Sequence, residues 1–146
     1  MSVEKSESSL PERIRELLEN LRPGDATSVE NLRAVYDTDV SFEDPIQKVR
    51  GVEEFIALNH RLLDRAKELV FTVESAAGTD EQLFLTWKMR CVPKLGPSIN
   101  VDGATHLRAK SGRVVYHRDY WDLGEMFASA IPGGHTALRF LLKPLA

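Results

Sequence analysis

Apolar positions along the chain switch from a helical to a two-residue period, and that switch divides it into parts. Ser9 and Glu12 stand in S-x-x-E spacing with Pro11 between them, a helix start in which the missing proline N–H costs nothing. Ile14, Leu17, Leu18 and Leu21 follow on one helical face, and Arg22-Pro23-Gly24 stops the helix. Thr27 with Glu30 repeats the box and predicts a second helix whose buried face is Val29, Leu32, Val35 and Tyr36. Val40-Ser41-Phe42 reads as a short strand that breaks at Asp44-Pro45. Gly51 then opens a third helix, lined by Val52, Phe55, Ile56, Leu62 and Leu63.

From Leu69 the period is two. Leu69, Phe71 and Val73 alternate with Val70, Thr72 and Glu74, and Gly78-Thr79-Asp80 reads as a turn. Leu83, Leu85, Trp87 and Met89 share one face of the next strand. Val92 to Pro97 reads as a loop, Ile99 to Arg108 as a strand, Ser111-Gly112 as a tight turn and Val114 to Trp121 as the last strand. Asp122 and Glu125 start a helix that ends at Ile131-Pro132-Gly133-Gly134, and Leu138 to Leu142 suggest a final short helix. Helices grouped before an antiparallel meander predict an α+β fold, a curved sheet folded around helices with its concave face towards them. The expected organisation is a flexible tail over residues 1–9 and one domain over 10–146.

Bulk properties narrow the function. The 146 residues suit one domain with its own core. A net charge of −3 offers no basic footprint for nucleic acid, and no run approaches a membrane span, so neither partner is expected. The polar start, Met1 to Ser9, has no apolar core of a signal peptide, and the single cysteine, Cys91, excludes an internal disulfide. A cytoplasmic setting is the simplest reading. No tight ligand spacing supports a metal, and no cofactor is implied.

Candidate chemistry lies in the last two strands. A two-residue turn at Ser111-Gly112 sets Lys110 opposite Arg113, and so predicts His106 opposite His117, Ala104 opposite Asp119 and Asp102 opposite Trp121. Asp102, Ala104, His106, His117, Asp119 and Trp121 then share one face, while Gly103, Thr105, Leu107, Tyr116, Arg118 and Tyr120 share the other. Hydrophobicity alone does not choose the inner face, because both are mixed. Asp119 is the strongest candidate: aspartate is disfavoured in mid-strand, and a buried carboxylate persists only when paired or used. Its alternative is a structural pairing with His106, His117 or Arg90. Asp44 suits a general base in an apolar cavity, and equally a turn before proline. Trp87 and Trp121 suit pocket walls or plain core.

Three segments carry a family resemblance over residues 10 to 130: YDTDVSFEDP with Arg50-Gly51 (36–51), VDGATHLRAKSGRV (101–114) and YHRDYWD (116–122). They resemble the nuclear transport factor 2-like superfamily, which includes ketosteroid isomerases, limonene-epoxide hydrolases and SnoaL-type cyclases. The resemblance implies a cone whose open end admits a small apolar molecule, with the Asp102–Trp121 face concave. It also implies a homodimer through the convex face, which Val70, Phe84, Tyr116 and Tyr120 would suit. Asp44 matches the isomerases' proton-shuttling carboxylate, but Asn20 or Leu21 and Ala104 stand where their oxyanion donors belong. Asp119 resembles an acidic residue of the hydrolases and cyclases, and Trp87-Lys88-Met89 replaces the hydrolases' Arg-x-Asp pair. His106 with Asp119 resembles the cyclases' cofactor-free acid/base pair. The expectation is a pocket protein of the isomerase or cyclase kind, with Asp119, Asp44, His106 and His117 catalytic and Trp87, Trp121, Asp102, Met89 and Phe55 binding substrate. The alternative is a non-catalytic binding module or dimeric accessory subunit.

Overall fold

A computed structural model describes residues 8–145. Of the expected tail only Ser8 and Ser9 fall inside that range; residues 1–7 and 146 lie outside the described residues. Helices α1 (Leu10–Glu19), α2 (Ala26–Glu30) and α3 (Val52–Asp64) precede the main meander, and α4 (Leu123–Ala130) and α5 (Gly134–Leu142) follow it. The strands are β1 (Tyr36–Glu43), β2 (Lys48–Arg50), β3 (Ala66–Gly78), β4 (Gln82–Pro93), β5 (Ile99–Lys110) and β6 (Arg113–Trp121). They form one curved sheet in the order β2-β1-β6-β5-β4-β3, antiparallel except where β1 runs parallel to β6.

The helix boundaries follow local chemistry. Glu12 accepts the Ser9 N–H at 2.8 Å, which starts α1 as its spacing predicts. The second helix is capped differently from expectation. Asp25, not Thr27, is the N-cap, its carboxylate accepting the Ser28 N–H at 3.3 Å. The α-helix gives way to a 3₁₀ turn over Asn31–Ala34, and Tyr36 opens β1 rather than closing a helix. The third start is as expected, with Asp122 accepting the Glu125 N–H at 2.8 Å.

One apolar core lies between the concave sheet face and α1 to α3. Val40, Leu83, Leu107 and Val114 from the strands are fully buried with Leu10 and Val29 from the helices. On β4 the expected alternation holds: Leu83, Leu85 and Trp87 are buried and Met89 is half-buried, while Phe84, Thr86, Lys88 and Arg90 face out. Among the described residues no helix is long and apolar enough to cross a membrane.

The β5–β6 register departs from the predicted one. Lys110 pairs with Arg113 across the tight turn, where Ser111 and Gly112 both take positive φ (50° and 75°), as a hairpin of this length requires. Ala109 then pairs with Val114 but Arg108 with Tyr116, so Val115 is an extra residue on β6. This β-bulge shifts every later pair by one. Thr105, not Ala104, stands opposite Asp119; Leu107, not His106, stands opposite His117; and Gly103, not Asp102, stands opposite Trp121. The concave face therefore carries Gly103, Thr105 and Leu107 from β5 with His117, Asp119 and Trp121 from β6. Asp102, Ala104 and His106 move to the convex face.

Candidate functional site

The cone encloses a cavity of about 460 Å³, within the size range of small-molecule sites. Its walls are mainly apolar: Leu32 and Phe55 from the helical side, and Phe71, Trp87, Met89 and Val101 from the sheet. Phe55, Trp87, Met89 and Trp121, expected as substrate-binding walls, all line it. Ile46, Arg61 and Arg65 line it too and are exposed, marking where it meets solvent.

Into this apolar space project Asp119 and His117, two residues apart on β6 and so on one face. The imidazole is 5 % exposed, enclosed by the rings of Tyr36, Phe42 and Phe55, whose centroids lie 5.8, 5.0 and 5.6 Å away. A chain of hydrogen bonds crosses the concave face. The Trp87 indole N–H donates to Thr105 Oγ1 at 2.8 Å, and the Thr105 hydroxyl donates to Asp119 Oδ1 at 2.5 Å. His117 Nε2 lies 2.6 Å from the same Oδ1, and His117 Nδ1 lies 2.8 Å from Tyr36 Oη.

The two ends fix the direction of the protons. An indole N–H can only donate, so Thr105 must spend its single hydroxyl proton on Asp119. A fully buried phenol needs an acceptor, and His117 Nδ1 is the one that Tyr36 reaches. Burial, reinforced by the charge of Asp119, holds the Tyr36 phenol far above its ordinary ionisation range, so it stays a donor. His117 then accepts at Nδ1 and directs an N–H at Nε2 towards Asp119. Every donor in the chain has one acceptor. Asp119 Oδ1 takes two hydrogen bonds, while Oδ2 takes none from the described residues. The Asp119 side chain is 20 % exposed and lines the cavity. The arrangement presents one free carboxylate oxygen, held in a fixed orientation, to whatever occupies the apolar space.

Trp87 can lie in this chain because of Gly103. A β-carbon at Gly103 would sit 2.3 Å from the indole ring, so the bare backbone makes room for the ring to lie across β5 and reach Thr105.

The remaining candidates lie elsewhere. Asp44 lines the cavity, but the β1–β2 turn occupies both its oxygens: Oδ1 accepts the N–H groups of Ile46 (2.7 Å) and Gln47 (2.9 Å), and Oδ2 the Gln47 side-chain amide (3.3 Å). Asp102 is exposed on the convex face. His106 lies on that face as well, stacked on Phe84 at 4.3 Å and edge-on to Tyr116 at 5.4 Å. Its Nε2 is buried without a partner among the described residues, and burial together with the Arg108 charge lowers its pKa. The predicted pairing of His106 with Asp119 is thus corrected: the bulge at Val115 gives Asp119 to His117 and Thr105 instead. Among the described residues no three His, Cys, Asp or Glu side chains converge as a metal-ligand set.

Tyr36, Thr105 and Gly103 are the members of the site that the periodicity reading misses. A signal for Thr105 exists in the sequence. Asp102, Arg108 and Lys110 share the parity of His106, whereas Val101, Leu107 and Ala109 share that of Thr105, so β5 alone announces its inner face.

A six-stranded cone around helices, with an inward acid and imidazole, defines an α+β pocket protein of the nuclear transport factor 2-like kind. The chain belongs to the SnoaL-like domain family, whose model matches residues 14–117 and so ends two residues before Asp119. Solved structures share the fold. A SnoaL-like polyketide cyclase, described as putative, from Jannaschia Sp. CCS1 is 19 % identical, with 82 % of this chain and 90 % of that one covered at a TM-score of 0.70. An epoxide hydrolase of M. tuberculosis, described as LEH-like, is 16 % identical over 92 % of each chain at 0.67. A protein of ketosteroid isomerase-like fold from Catenulispora acidiphila, described as bound to trimethylamine, is 17 % identical over 86 % and 96 % at 0.71. No curated protein matches the chain.

Proposed function

We propose that this protein binds a small apolar molecule bearing a carbonyl or hydroxyl group and moves a proton on it without a cofactor, as an isomerase or cyclase. The single observation that carries this reading is Asp119 on the wall of an apolar cavity, its Oδ1 pinned by Thr105 and His117 and its Oδ2 without a donor among the described residues. A carboxylate oriented in this way is pre-organised to take a proton from a carbon or oxygen beside a polarised group. His117 steadies the carboxylate while it is charged, and Tyr36 holds His117 in the tautomer that does so. Asp44, whose oxygens serve the turn, is a wall in this reading rather than a base. His106 and Asp102, facing away, take no part in the chemistry. Trp87, Met89, Phe55 and Trp121 shape the space.

A family with cyclase members supports the reaction class, and the trimethylamine described in the C. acidiphila structure supports small-molecule binding. A thermal-shift screen of steroids, terpenoids and aromatic polyketides identifies ligands, since a molecule that binds only the folded state raises its melting temperature. Asp119→Asn keeps an acceptor for both neighbours but removes the base. It is expected to bind the same ligands, melt within a few degrees of the wild type and lose about 10²–10⁴-fold in turnover. Ligand binding with no turnover in the wild type would favour the non-catalytic binding module.

The assembly we propose is a homodimer through the convex face. Val70, Phe84 and Tyr120 are there about half exposed, and Phe84 stacks on His106. Sedimentation equilibrium of Phe84→Asp tests it, with a shift from dimer to monomer expected.

A further inference from the structure

The cavity carries two cations that the chemistry above does not use. Arg61 and Arg65 are the last-turn arginine and the C-cap residue of α3, four positions apart, and both line the cavity at its exposed edge. Two guanidinium groups at this spacing repel each other along a helix. Neither belongs to any ion pair among the described residues. Attraction to the helix C-terminus accounts for a cation at this point, but not for two that border the same apolar space. The other charged groups in the lining are Asp44, whose oxygens serve the turn, and Asp119, whose Oδ1 takes Thr105 and His117; among the described residues neither forms an ion pair with Arg61 or Arg65.

We propose that the ligand of this cavity is an amphipathic acid: an apolar body that fills the interior and a carboxylate that rests between Arg61 and Arg65 at the mouth. This rests on the reading of the cavity as a small-molecule site and adds the charge and orientation of its occupant. Guanidinium forks suit a carboxylate, which can take parallel N–H bonds from either. Asp119 in the interior repels a second carboxylate, so the acidic end stays outside and the uncharged, reacting end points in. The mouth thereby fixes which end of the ligand meets Asp119 Oδ2, a positioning role rather than a catalytic one.

Matched probes test the charge separately from the pocket. Decanoate, decanol and decyl phosphate share one apolar chain and differ in the head group. Their affinities are measured by calorimetric titration, below their aggregation limits, against the full chain, Arg61→Gln/Arg65→Gln, and Arg15→Gln/Arg139→Gln, whose exposed arginines lie off the cavity lining. Decanoate is expected to bind more tightly than decanol. The mouth variant should weaken decanoate about tenfold, leave decanol unchanged and abolish the sensitivity to salt, since exposed pairs of this kind contribute modestly and are screened. The control variant should change neither. Equal binding of decanol and decanoate, or equal loss in both double variants, would overturn the assignment while leaving the pocket intact. Tighter binding of decyl phosphate that is lost in the mouth variant would overturn the carboxylate in favour of a phosphate ester. Failure of all three probes, together with an empty ligand screen, would sink the pocket reading and this inference with it.

Discussion

Replacing Thr105 with valine removes one hydroxyl from the middle of the concave-face chain while keeping the side-chain volume. Two groups are then stranded. The Trp87 indole N–H, in a side chain 4 % exposed, loses its acceptor at 2.8 Å, and Asp119 loses a donor at 2.5 Å. An unsatisfied buried donor costs about 1–3 kcal/mol, and a hydrogen bond to a charged group contributes about 1.5–3 kcal/mol. The added valine methyl recovers up to about 1 kcal/mol through burial. The net expectation is a loss of about 3 kcal/mol, or roughly 10 °C in melting temperature for a domain of this size. Urea unfolding with a shared m-value, supported by calorimetry, reads the loss. A double variant separates the two stranded groups. In a Trp87→Phe background no indole donor remains to be stranded, so Thr105→Val should cost roughly 1–3 kcal/mol less than in the wild type. A penalty below about 0.5 kcal/mol in the wild-type background would refute the chain as described. So would the same penalty in both backgrounds.

Three further outcomes follow from the same geometry. Gly103→Ala drives a β-carbon to 2.3 Å from the Trp87 ring, so the indole must swing off Thr105; a loss of about 1–3 kcal/mol with a shifted tryptophan fluorescence maximum is expected, and an unchanged spectrum would contradict the packing. Tyr36 ionises later in the folded than in the unfolded chain, so its contribution is complete below about pH 10 and is lost as pH rises further; Tyr36→Phe should be less stable at neutral pH but lose less between pH 10 and 11, and parallel curves would count against the burial of this phenol. His106 has the opposite sense, because its lowered pKa lets the unfolded chain take up a proton first, so stability is present above about pH 6.5 and falls below it; His106→Phe, which also removes the unpartnered Nε2, should flatten the acid side of the profile, and melting curves at pH 5 and 8 that shift equally would rule this out.

The fold was largely legible in the chain because its signals are local. Capping residues at Ser9 and Asp122, the period of β4 and the turn at Ser111-Gly112 each act within a few residues, and each appears in the structure where its spacing predicts. Asp119 and His117 could be chosen as candidates for the same reason: an aspartate in mid-strand is conspicuous, and residues two apart on a strand must share a face. The partner of Asp119 could not be read so easily. It depends on one unpaired residue, Val115, whose bulge moves the register by one and exchanges His106 for Thr105. A bulge is a compromise between two strands and the core beneath them, and valine at 115 looks like any other strand residue.

What the sequence determined by itself was the set of elements, β2 excepted, and the shared face of His117 and Asp119, because capping, periodicity and alternation are properties of neighbouring residues. Tertiary structure alone decided which groups meet that acid. Tyr36 comes from β1 and Trp87 from β4, strands on opposite sides of the β5–β6 pair. Only the curvature of the sheet brings their polar ends onto one hydrogen-bonded line. Arg61 and Arg65 border the cavity only because the end of α3 lies at its exposed edge. Hydrogen bonds depend on separations of about 3 Å, which a linear pattern cannot specify until the strands are in register and the walls are packed.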